Sequence, residues 1–143
     1  MSASSRRKGR AGEREAMGML QNLVTPLYRV AGLQVPVIEL NYAQAAKGGT
    51  DLLNVPLLAV EVKRCEQRSP GAWWAQACAA ADDLGLEPCV VYRANRKPWR
   101  VMVEAETCGG ERELFDTTWE DFARWYGERL QVHVQALREG DSE

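Results

Sequence analysis

Residues 48–63, Gly-Gly-Thr-Asp-Leu-Leu-Asn-Val-Pro-Leu-Leu-Ala-Val-Glu-Val-Lys, carry an acid at Asp51 and a Glu-x-Lys triplet at Glu61 and Lys63. Residues 57–63 alternate as a strand does. Side chains of a strand project to opposite faces with a period of two, so Glu61 and Lys63 share a face with Leu57 and Ala59, and Leu58, Val60 and Val62 take the other. A short turn through Asn54, Val55 and Pro56 returns Asp51 towards them. Two acids and a lysine converging beside a buried strand cost free energy unless a cation or a substrate needs them. The stretch therefore reads as a metal-dependent catalytic core, against the plainer alternative of a salt-bridged surface pair, Glu61 with Lys63.

The rest of the chain must position these groups. Its 143 residues suit one domain with a single core, and 45% hydrophobic and 27% charged residues are ordinary for a globular protein. No apolar run approaches the ~20 residues of a membrane span, and the basic N-terminus lacks the apolar segment of a secretory signal. A cytoplasmic location is expected. Cys65, Cys78, Cys89 and Cys108 stand singly, and His133 is the sole histidine, which disfavours structural zinc and predicts buried free thiols. Net charge is only −2, but positive charge gathers in segments. Arg6, Arg7, Lys8 and Arg10 form one, Lys47, Arg64 and Arg68 flank the motif, and Arg93, Arg96, Lys97 and Arg100 form another. These are candidate phosphate contacts.

Residues 1–9 read as a flexible basic arm and residues 10–24 as a helix, with Ala16, Leu20 and Leu23 at helical spacing and Pro26 as its stop. Glu13 lies two turns before Leu20, on nearly the same inward line. Residues 27–30 and 35–42 are rich in strand formers. Ser69 and Pro70 open a helix that ends at Gly85, with Trp73, Ala77, Ala80 and Leu84 as its buried stripe and Gln76 at its flank. Residues 88–92 and 99–103 read as paired strands, and residues 108–115 as a loop. A last helix, capped by Thr117 and Glu120, carries Trp119, Phe122, Tyr126, Leu130, His133 and Leu137 on one stripe. Residues 139–143 read as a disordered acidic tail. The chain thus divides into the arm, one domain over 10–138 (a core of about 10–104 and a helical extension at 116–138), and the tail.

This order of elements resembles the PD-(D/E)XK nuclease superfamily, and within it the archaeal-type Holliday junction resolvases. The resemblance rests on Lys8-Gly9-Arg10-Ala11-Gly12-Glu13-Arg14-Glu15 at the start of a helix, on Asp51 after a glycine turn, on the Glu61-Val62-Lys63 strand, and on the strand pair that follows. It covers roughly residues 5–104 and departs at Thr50, where the family has proline, and after residue 104.

The resemblance implies an α/β fold with a restriction-endonuclease-like core, a central mixed β-sheet flanked by helices, and an added C-terminal helix. It implies a Mg²⁺-dependent endonuclease acting on branched DNA as a homodimer, in a prokaryotic or phage-infected cell, with Mn²⁺ as a substitute metal. Glu13, Asp51, Glu61 and Lys63 would be its catalytic set. Asp51, Glu61, the backbone carbonyl of Val62 and Glu13 would hold the metal, with Gln76 in support. Two alternatives stay open: a nuclease of the same fold with another DNA-processing or repair target, and a nuclease-fold DNA-binding module without activity.

Overall fold

The computed structural model describes residues 3–43, 49–64 and 69–141. Its elements run α1 (Ala3–Val30), β1 (Glu39–Leu40), β2 (Leu52–Leu53), β3 (Leu58–Arg64), α2 (Pro70–Leu84), β4 (Glu87–Arg93), β5 (Arg100–Glu106), β6 (Arg112–Thr118) and α3 (Trp119–Asp141). Four strands in the order β3-β4-β5-β6 make a mixed sheet, parallel between β3 and β4 and antiparallel thereafter. The connection from β3 to β4 passes through α2, as a parallel pair requires. β1 and β2 form a separate antiparallel pair beside β3, joined to it by the hydrogen bond from Asp51 N to Val60 O (3.2 Å).

Burial follows the period of two. Leu58, Val60, Val62, Cys89, Val91, Val101 and Val103 face the larger core, which is closed by Ala16, Leu20, Val24 and Tyr28 of α1 and Phe122, Tyr126, Leu130 and Val134 of α3. On the other face Val90, Tyr92 and Met102 pack against Trp73 and Ala77 of α2. The sheet is thus covered on both sides, and β3, buried from Leu58 to Val62, reads as an almost continuous apolar run. The α/β core, the mixed sheet and the C-terminal helix expected from the sequence are all present.

Several boundaries differ from the expectation. α1 is helical from Ala3, where an arm was expected through residue 9, and it continues through Pro26 to Val30, so residues 27–30 are helix and not strand. Pro26 lies on the exposed face, and the buried spacing of four (Ala16, Leu20, Val24, Tyr28) passes it undisturbed. The helix ends at Gly32, whose φ of 72° accommodates the bonds from Gly32 N to Arg29 O and Leu33 N to Tyr28 O. On α2 the buried residues are Trp73, Ala77 and Ala81, while Leu84 is half exposed. Ser69 precedes the helix without a side-chain capping bond.

β6 occupies part of the segment expected to be loop. Its residues are almost all exposed, so no alternation of burial marks it. α3 begins at Trp119 and is capped by Thr118, whose Oγ1 accepts from Asp121 N (3.1 Å), one residue later than expected. It is helical to Asp141, through the start of the expected tail. Among the described cysteines, Cys89 is buried but Cys108 is exposed; Cys65 lies outside the described residues.

Candidate active site

The turn before β3 is built to return Asp51 to the sheet. Asn54 and Leu57 take positive φ of 69° and 71°, and Asn54 Nδ2 donates to Val37 O (2.9 Å). Tyr126 of α3 reaches across the core to donate its hydroxyl to Pro56 O (2.7 Å), which pins the turn from the opposite side. On the β1 side, Asn41 N donates to Asp51 O (2.9 Å) and Asn41 Nδ2 to Thr50 O (2.8 Å). The Asp51 carboxylate then accepts from the amide of Val62 at 2.7 Å.

Glu61 stands next along β3 on the α2 side of the sheet. It is completely buried, and no amide, hydroxyl or cationic group donates to either of its carboxylate oxygens. Burial, reinforced by the charge of Asp51 and by the hydrogen bond that a protonated Glu61 can make to the Asp51 carboxylate, and opposed by the charge of Lys63, pushes its pKa up to about 8. A stripped carboxylate beside a second carboxylate fits a hard divalent cation, which takes oxygen ligands and neutralises both charges. Lys63, on the same face, donates from Nζ to Gln76 Oε1 of α2 (2.8 Å), so the amine is steadied from the neighbouring layer.

Glu13 approaches from α1. Gly12 lets the helix come close to the end of β3, because a Cβ there would lie 3.1 Å from Cβ of Arg64. Glu13 pairs with Arg10 (3.5 Å), and burial together with the charge of Asp51 raises its pKa against the pull of Arg10. Among the described residues no group of three or more His, Cys, Asp or Glu converges on one metal position. The structure therefore brings Asp51, Glu61 and Lys63 together, and leaves Glu13 beside them, coupled through charge.

A family described as "Phage putative PDDEXK endonuclease" matches residues 4–124. The chain belongs to this family. In this PDDEXK endonuclease the acid at Asp51 and the Glu61-Val62-Lys63 triplet occupy the strand and turn just described. The 1.6 Å structure of Hjc, a Holliday junction resolvase from the archaeal hyperthermophile Archaeoglobus fulgidus, is similar over 79% of this chain and 85% of its own, at 20% identity and a TM-score of 0.45. No curated protein matches.

Of the basic residues singled out in the sequence, Arg64, Arg93, Arg96, Lys97 and Arg100 gather where β3 and β4 end and β5 begins, since Arg64 pairs in register with Arg93 and Tyr92 with Arg100. Two of them are engaged within the fold. Arg93 Nη1 donates to Glu15 Oε1 (3.1 Å) with its guanidinium over Trp99, and Arg100 Nε donates to Asp116 Oδ1 (3.0 Å), which Tyr92 also bonds. Lys47, Arg68 and the side chains of Arg6, Arg7 and Lys8 lie outside the described residues.

Sequence reasoning missed Glu15 as a bonded group. Its carboxylate accepts from Trp99 Nε1 (2.8 Å) as well as from Arg93, tying α1 to the β4–β5 turn two residues from Glu13. No local pattern links residues 84 positions apart. The stripe placed Tyr126 in the core, but its hydroxyl bond to Pro56 spans 70 positions, and no local pattern marks it. No helix among the described residues is long and apolar enough to cross a membrane.

Proposed function

We propose that the chain is a Mg²⁺-dependent DNA endonuclease that cleaves branched DNA, with the four-way junction as its preferred substrate and a homodimer as its working form. The observation that carries the reading is Glu61, buried with both oxygens unpartnered beside Asp51 and Lys63. Asp51, Glu61 and the carbonyl of Val62 would hold the cation. When bound, Mg²⁺ supplies positive charge to the scissile phosphate and makes a coordinated water more acidic, and Mn²⁺ would serve in its place.

The protein's own groups do the rest. Gln76 holds the Lys63 amine, which orients the attacking water or stabilises the charge that develops on the phosphate. Glu13 orders water at the rim of the acid pair. Exposed Arg96 and Lys97, with Arg10 and Arg64, supply the positive field that a phosphate backbone needs. The preference for a junction rests on the likeness of the residue 8–15 and 48–63 motifs to the archaeal-type resolvases, and a dimer would present two sites to two strands.

The test is a panel of four-way junction, flap, nicked and linear DNA, incubated with Mg²⁺ or Mn²⁺ and with wild type or Asp51→Asn. Wild type should cut the junction, and Asp51→Asn should bind it while cutting on the order of 10³-fold more slowly. A wild-type protein that cuts none of the panel removes the enzymatic reading. Equal cutting of junction and linear duplex removes the junction preference and leaves the nuclease in place.

A further inference from the structure

An exposed aromatic ring lies against Arg10, the ion-pair partner of Glu13. Tyr42 is 69% exposed, and the guanidinium of Arg10 lies 4.9 Å from its ring centroid. The same Arg10 pairs with Glu13 at 3.5 Å. Along the backbone, Tyr42 follows Asn41, whose amide donates to Asp51 O at 2.9 Å and whose Oδ1 accepts from Ala43 N at 3.2 Å, closing a turn around Tyr42. Asn41 and Asp51 continue the antiparallel pairing of β1 with β2. With 3.8 Å between successive Cα atoms and about 5 Å across such a pair, Tyr42 Cα lies within ~9 Å of Asp51 Cα. That is the spacing of one to three nucleotides on a strand.

Tyr42 belongs to neither hydrophobic core. What it offers is a π-face, with a cation placed to meet a phosphate. Bases inside a duplex already have both faces stacked and present none to a protein, whereas an unpaired base presents one.

We propose that Tyr42, backed by Arg10, is the stacking platform for an unpaired nucleobase next to the scissile phosphate, and so sets a preference for DNA with an unpaired nucleotide at the cut. The inference rests on the DNA endonuclease reading; a fork or flap already presents an unpaired base, and in a four-way junction, whose arms are fully paired, a pair opened at the crossover would supply it. Arg10 contributes charge to the same nucleotide's phosphate.

The experiment uses two DNAs of one sequence that contain 2-aminopurine, fully paired in one and the first unpaired nucleotide of a fork in the other. Binding is followed by 2-aminopurine fluorescence in the full-length Asp51→Asn protein, and cleavage of the same DNAs is followed in the wild type. The Asp51→Asn parent should favour the fork and quench its fluorophore. Adding Tyr42→Ala should cut that preference about tenfold and abolish the quench, while Tyr42→Trp keeps both. Arg10→Ala should lower affinity for both DNAs and flatten the salt dependence without removing the quench.

If wild type cuts the fork and Tyr42→Ala leaves preference and quench unchanged, the platform is wrong and the nuclease stands. Equal loss on both DNAs makes Tyr42 a general contact and overturns the platform as well. If the parent binds neither DNA and wild type cuts neither, the endonuclease reading falls and takes the platform with it.

Discussion

Glu61 and Glu87 sit on adjacent strands of one parallel pair, three register positions apart, and are treated in opposite ways. Glu87 accepts from Arg112 (2.8 Å) and pairs also with Arg129, while Arg112 goes on to Glu104 (2.7 Å). Each of these charges has a neighbour of opposite sign. Glu61 is more deeply buried than any of them, and no amide, hydroxyl or cationic group donates to it. Removing a carboxylate from water without compensation opposes folding by several kcal/mol, and in practice the group holds its proton instead. A fold able to surround Glu87 with two arginines has the means to neutralise an acid. That it leaves Glu61 without such a partner beside Asp51 supports the proposed role of the pair in holding a cation.

The comparison breaks most visibly at Glu61. Glu61→Gln should lower cleavage by on the order of 10³–10⁴-fold, and yet it should stabilise the metal-free protein. With the folded pKa at about 8 and the free value at 4.5, both states are protonated at pH 4 and the acid carries no penalty. As pH rises towards 8 the unfolded chain ionises and the folded one does not, so wild-type stability falls across that window. The thermal midpoint of Glu61→Gln in a chelator should thus match wild type near pH 4 and exceed it by a growing margin up to pH 8. Mg²⁺ should raise the midpoint of wild type and leave Glu61→Gln nearly unmoved. A difference in midpoint that is constant with pH would show that Glu61 is not the stripped acid described here.

A smaller effect is expected at Glu15, whose two donors fix the α1 turn that presents Glu13. Glu15→Ala should reduce single-turnover cleavage at saturating Mg²⁺ roughly tenfold, because a catalytic group displaced by a fraction of an ångström loses much of its benefit from orientation. Glu15→Gln keeps an oxygen for the Trp99 indole and should recover most of the rate. If Glu15→Ala lowers the thermal midpoint and leaves the rate alone, Glu15 anchors the helix without setting the site.

What could be read from the sequence follows the same division. The Glu-x-Lys strand announced itself because strand alternation is local: Leu58, Val60 and Val62 enter the larger core and Glu61 takes the other face, although every residue from Leu58 to Val62 is buried. The approach of Asp51 was legible too, since Asn54 and Pro56 mark a turn over a few residues. α1 was misjudged at both ends: a proline on an exposed helical face removes one hydrogen bond without disturbing the buried stripe, and the stripe decides the element. β6 escaped because an edge strand with both faces near solvent has no hydrophobic period to display. The bonds of Glu15 with Trp99, of Tyr126 with Pro56 and of Glu87 with Arg112 join residues brought close only by the finished sheet. No spacing rule reaches them.

The smallest effect should come from the compensated acid. Glu87→Ala leaves Arg112 its bond to Glu104 and costs Arg129 its partner, but both guanidiniums are a third to nearly half exposed. Water and salt recover much of the lost attraction there, so the loss should be about 1 kcal/mol, a drop of ~2–4 °C in thermal midpoint for a chain of this size. Raising the ionic strength should narrow the gap further. Cleavage of the preferred DNA should be unchanged at temperatures where both proteins are folded, and the pH dependence seen with Glu61→Gln should be absent. A large loss of cleavage in Glu87→Ala would mean that the acids on the two strands serve one purpose, and that partnered and unpartnered carboxylates do not separate structure from chemistry in this fold.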